Sequence, residues 1–158
     1  MPTFLQYYRA TFRFDKGLEQ WGGALLALSL RAYLGPIFFK AGLTKIADWD
    51  STVSLFQDEY QVPLLSPQLA AVSGTLGELL LPLLLWAGFL SRPAALGLFI
   101  VNLMAVISYP LLFTFDCPAA LNDHRYWALL LLVLIVFGPG RLSIDEMVAK
   151  SKACRANQ

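Results

Sequence analysis

Arg31 and Lys40 are basic residues inside an apolar run that extends from about Trp21 to Ile46. A helix needs about 20 residues to cross the roughly 30 Å hydrocarbon layer of a bilayer, so Arg31 falls near the middle of that run. A basic group at such depth costs several kcal/mol unless a carboxylate, amide or imidazole answers it. Three groups in the later apolar runs have that chemistry: Glu78, Asn102 and His124. At 1.5 Å per residue from the outer face, Lys40 lies at roughly 6 Å, Glu78 at roughly 13 Å, Asn102 at roughly 16 Å and Arg31 at roughly 20 Å. These depths predict one polar column in which Glu78 pairs with Arg31, with Lys40, or with both. The column has two readings. It is either a network that fixes helix register or the lining of a site for a polar ligand, a proton or an electron carrier. Two cations against one acid favour an anionic or carbonyl-bearing ligand.

A second group of chemically active residues is Asp116, Cys117, Asp123 and His124. A thiol, an imidazole and two carboxylates this close in sequence suit a soft metal such as copper, or an activated thiol. Repeated Cys and His at fixed spacing, the mark of a strong metal signature, are missing, and no metal is specified. The alternative is a small loop cysteine and a helix-start histidine bonded to a neighbouring carboxylate. Cys154 reads as an inert tail thiol. No paired CxxC, haem-ligand pair or nucleotide-binding glycine loop occurs, so no covalently bound cofactor is expected. Any electron carrier is then a diffusible quinone or sits on a partner. Ser/His/Asp catalysis has no support, because the single histidine has no serine in a nucleophile motif to serve. Nothing points to nucleic acid.

These residues need a membrane to position them. With 57% hydrophobic and 15% charged residues and a mean hydropathy of +0.57, the chain is too apolar for a soluble domain of this size. It reads as an all-α integral membrane four-helix bundle with spans at about 21–44, 69–90, 93–113 and 119–138. Residues 1–20 mix aromatic and basic side chains, as an interfacial helix does, and lack a cleavable signal pattern. Pro36 is expected to kink the first span. Residues 45–68 form an acidic loop, with a short helix at 51–60. The last apolar run, Tyr126 to Phe137, is too short by itself, so its helix extends back to about Ala119. Gly138, Pro139 and Gly140 close it, and 141–158 form a short tail. Trp21, Trp49, Trp86 and Trp127 are assigned as interface anchors. Arg9, Arg13, Lys16, Arg92, Arg141, Lys150, Lys152 and Arg155 all fall on the side of the termini, which the positive-inside rule places in the cytoplasm.

The order R-x-x-L-G-x-x-F-x-x-A-G-x-x-K (Arg31, Leu34, Gly35, Phe38, Ala41, Gly42, Lys45) is followed by a mid-span Glu78 and by Arg92 with Ala94 and Ala95. With the terminal GPG-R-x-S-I-D from Gly138 to Asp145, the sequence resembles the DoxX family of small bacterial four-helix inner-membrane proteins over about residues 24–145. The resemblance implies a multi-pass protein of the bacterial plasma membrane, in contact with lipid and with protein partners, and a homo-oligomer is compatible with it. It implies a membrane subunit of a redox complex, exchanging electrons with quinone or thiols. The alternatives are a non-catalytic anchor or assembly partner, including an accessory to a metal-handling or peptide-modifying system, and a small-solute or metal transport component.

Overall fold

In a computed structural model the structure describes residues 18–114 and 119–156, and these are helical apart from short connections. A π-helical turn at Leu18–Gly22 leads into α1, Gly23–Ala47. The short α2, Trp49–Asp58, precedes α3, Pro67–Ala87, and α4, Ser91–Ser108. A 3-10 turn at Pro110–Phe113 follows, then α5, Ala119–Phe137, and α6, Ile144–Ala156. Four of these helices are long and apolar enough to cross a membrane: α1, α3, α4 and α5. The chain is an all-α, multi-pass membrane bundle. The expected interfacial helix at 1–20 lies almost wholly outside the described residues.

The boundaries follow from local chemistry. Asp48 ends α1 and caps α2, accepting from the Ser51 amide at 3.1 Å and the Ser51 hydroxyl at 2.7 Å. Ser66 caps α3 and Pro67 takes its first turn, where the missing N–H is harmless. Gly88, at φ +68°, stops α3 in the left-handed region and lets the chain reverse. Pro36 and Pro82 both sit inside continuous helices; neighbouring spans make that tolerable in a membrane.

The spans pack in the order α1, α3, α4, α5, and α5 returns to touch α1. Leu34, Phe38, Leu85, Ala94, Ala95, Leu98, Leu131 and Leu134 fill the centre. Outward-facing leucines and isoleucines, among them Leu43, Leu80, Leu83, Ile100, Leu103, Ile107, Leu129 and Leu132, leave an apolar belt exposed on every span. Such a belt on all sides suits lipid and not water. α3 and α4, joined by a tight turn, form an antiparallel hairpin. The bundle therefore has a terminal end, which carries the α3–α4 turn and α6, and a loop end, which carries α2, the connection at 59–66 and the turn at 109–114.

Two of the tryptophans also make ring contacts between helices. Trp127 is in the third turn of α5 and packs edge-on against Phe38, with ring centroids 5.9 Å apart. Trp86 lies against Phe39 at 5.9 Å, beside Gly35, where any larger residue would collide with its indole. Both rings fill helix contacts. Trp21 keeps an interfacial position at the terminal end, beneath the Arg141 guanidinium.

Candidate functional site

The intramembrane polar residues form three separate groups and not one column. The buried stripe of α1 is Ala24, Ala27, Arg31, Leu34, Gly35, Phe38 and Gly42. Lys45 continues it, because it stands two heptads beyond Arg31. Lys40 is turned about 180° from Arg31 at 100° per residue and projects from the exposed face. The carboxylate of Glu78 is therefore met by Lys45 and by neither Arg31 nor Lys40: Lys45 Nζ donates to Glu78 Oε2 at 2.5 Å. Gly42 permits this. A Cβ there would stand 2.8 Å from Leu79 and 3.2 Å from the Glu78 backbone, so α1 and α3 touch just before Lys45.

Arg31 sits at the terminal end and is only 1% exposed. Its guanidinium donates to the Leu142 carbonyl at 2.5 Å and faces Asp145. Asp145 in turn accepts from the amides of Leu90 and Ser91, both at 2.9 Å, and so caps the start of α4 from 54 residues away. Its own amide donates to the Gly88 carbonyl at 2.9 Å. Burial raises the Asp145 carboxyl, but the two amides and Arg31 outweigh it and hold the group below the usual carboxylate range. Arg31 and the terminal segment thus form a lock on the α3–α4 turn, an arrangement whose first task is structural.

Asn102 and His124 are brought together between α4 and α5. The Asn102 amide donates to the His124 carbonyl at 2.9 Å, and its oxygen lies 2.8 Å from His124 Nδ1. A carbonyl can only accept, so the Asn102 NH2 must face it and the amide oxygen must face Nδ1. That assignment puts the proton of neutral His124 on Nδ1 and leaves Nε2 as an acceptor. The ring also packs edge-on to Trp127 at 4.9 Å. Among the described residues, Asn102 is the hydrogen-bond partner of the His124 ring. Asp123 is exposed, and Asp116 and Cys117 lie outside the described residues. Among the described residues no group of three metal-ligating side chains occurs.

The Lys45–Glu78 pair borders an apolar cavity, whereas Asp145 of the Arg31 group borders a more open one at the terminal end, beside Arg92, Arg141 and Glu146. The apolar cavity measures about 290 Å³ and lies between α3 and α4 under α2 and the 59–66 connection. Phe56, Val62, Leu65, Val101 and Met104 make its walls apolar. Three hydroxyls also line it, those of Tyr60, Ser73 and Ser108. The Ser108 Oγ is buried and has no hydrogen-bond partner among the described residues. Burying a hydroxyl unpaired costs about 1 to 3 kcal/mol, so this donor is the clearest polar feature left unanswered in the cavity. Ser73, Ile100 and Ala105 are exposed on the outer surface of the bundle, so the cavity opens sideways between α3 and α4 towards lipid. Gly74 floors it: a Cβ there would meet only the Phe56 ring, at 3.8 Å.

Lys45, Tyr60 and Ser108 were absent from the sequence-derived candidates. The heptad spacing from Arg31 to Lys45 carried a signal for the first, whereas Tyr60 and Ser108 carried none. The family model described as DoxX matches residues 26–113, more than half of the chain, and spans α1 to the 3-10 turn. No curated protein and no solved structure matches the chain.

Proposed function

The chain belongs to the DoxX family, and from that premise we propose that it is the membrane subunit of a redox complex, with its lateral cavity taking the headgroup of a quinone-like carrier. One observation carries this reading: an unpartnered Ser108 hydroxyl and the Lys45–Glu78 pair face a single apolar cavity that opens to lipid. Ligand sites of this kind are mostly apolar, with a few convergent polar groups that fix orientation. The residues fit such a carrier. Ser108 and Tyr60 would supply hydroxyl donors, and Lys45 a charged donor, for its carbonyl oxygens. Phe56, Val101 and Met104 would give the ring apolar walls. When bound, the carrier supplies a two-electron, two-proton couple, with electrons passing to or from a partner subunit. The chain's own part is to orient the ring and exchange protons at Glu78.

Under this reading Arg31 and Asn102 serve the scaffold, and Lys40 faces lipid. The basic side chains of Arg92, Arg141, Lys150, Lys152 and Arg155 gather at the terminal end, which supports a cytoplasmic location for the termini in a bacterial inner membrane. The cavity then lies in the outer half of the bilayer. Binding of decylubiquinone to the purified protein in lipid nanodiscs, with Ser108→Ala and Gly74→Leu as variants, tests the proposal.

A further inference from the structure

Tyr60 connects the cavity to the loop-end surface. Its ring stands perpendicular to Phe56, with centroids 4.8 Å apart, and perpendicular to Tyr109 at 5.1 Å. The Gln61 amide donates to the Ser108 carbonyl at 2.8 Å and pins the connection that carries Tyr60 onto the end of α4. Tyr109 is the next residue; desolvation raises its phenol, and the Glu59 carboxylate lies close enough to act on it and raise it further. Glu59 is exposed. Glu78 and Tyr60 line the same cavity, Tyr60 packs on Tyr109, and Tyr109 neighbours the exposed Glu59, so the four lead from a buried carboxylate towards water. Two perpendicular aromatic contacts hold the middle members in place.

We propose that these four residues form a proton route between the Lys45–Glu78 pair and the loop-end surface. The transfer balances at every oxygen. Glu59, protonated from water, gives its proton to the Tyr109 hydroxyl; Tyr109 releases its own towards Tyr60, and Tyr60 releases its own to the Glu78 carboxylate. Both phenols end neutral, and the net change is one proton gained by Glu78 and one lost by Glu59, which water refills. Lys45 neutralises Glu78 while it is ionised and becomes the unpaired charge when it is protonated. Burial, together with Tyr109, Glu78 and Glu59 around it, raises the Tyr60 phenol. It therefore keeps its proton and relays through its hydroxyl without becoming an anion. The route requires water to enter the cavity and bridge the hydroxyls that do not touch. The route rests on the carrier reading only for what finally receives the proton.

Time-resolved infrared spectroscopy after a pH jump tests it, on the purified chain in lipid nanodiscs. The band of protonated Glu78 is assigned by its loss in Glu78→Gln. Tyr60→Phe and Tyr109→Phe keep the ring contacts and remove the hydroxyls, and each is expected to slow the response of that band by about tenfold or more. An unchanged rate in both variants overturns the route, as does a Glu78 band that never responds to pH. Decylubiquinone binding is measured on the same samples. If the wild type fails to bind it while the Phe variants still slow the exchange, the carrier reading falls and the proton route stands.

Discussion

Lys45 Nζ and Glu78 Oε2 meet at 2.5 Å across the α1–α3 contact, with the Glu78 side chain only 10% exposed. Backbone proximity at Gly42 brings the pair together, since a larger residue there would press on Leu79 and move the helices apart. Removing one partner leaves the other charge without an answer. Lys45→Gln and Glu78→Gln should each destabilise the detergent-solubilised protein by about 3 kcal/mol. The double variant Lys45→Gln/Glu78→Gln should cost clearly less than the sum. A double-mutant cycle on unfolding midpoints checks this, and additive losses would show that the two side chains do not interact.

Asp145 holds the α3–α4 turn through the Leu90 and Ser91 amides. Asp145→Ala should cost about 1 to 2 kcal/mol, as loss of a helix N-cap does, and should expose the Gly138–Gly140 segment to proteolysis. The pH dependence has a definite sign. The folded carboxyl is held below its ordinary value, so its contribution is complete above the unfolded pKa of about 3.9 and is lost as pH falls through the folded value. Thermal midpoints should therefore fall below about pH 4 in the wild type and change less over that range in Asp145→Asn.

The chain has one histidine, so its ring nitrogens can be observed without ambiguity. 15N NMR of labelled protein at a pH where His124 is neutral should show the Nδ1–H form, held by Asn102. Asn102→Leu should release that preference and cost about 1 kcal/mol. A neutral Nε2–H ring in the wild type would contradict the geometry described here.

With the termini in the cytoplasm, Cys154 is shielded from a membrane-impermeant thiol reagent applied to intact cells. A cysteine placed at Asp50, on the exposed start of α2, should be labelled in a Cys117→Ser background while Cys154 is spared. The opposite pattern would invert the orientation.

Much of this fold is legible in the sequence because a bilayer imposes few solutions. Apolar length gives four spans, and Ser66-Pro67 and Gly88 mark the limits of α3. Depth was a poor guide to pairing, however, because rise along one helix says nothing about its face. Arg31 and Lys40 both have depths compatible with Glu78, yet only the 100° rotation per residue separates Lys45 on the buried stripe from Lys40 in lipid. The partner of Arg31 was harder still, since Leu142 and Asp145 reach it through a chain reversal more than a hundred residues later. The orphaned Ser108 hydroxyl had no sequence signal. Its isolation depends on how α2 and the 59–66 connection leave space above α4.

The central claim is that the cavity beside Lys45 and Glu78 takes a quinone headgroup, and decylubiquinone binding in nanodiscs tests it most directly. Gly74→Leu places a side chain in open space and should abolish binding without loss of thermal stability. Ser108→Ala should weaken it by about fivefold to tenfold, the worth of one hydrogen bond of about 1 kcal/mol. Lys40→Gln, on the lipid face, should leave it unchanged. Binding that survives Gly74→Leu in a folded protein, or that depends on Lys40 and not on Ser108, would contradict the account.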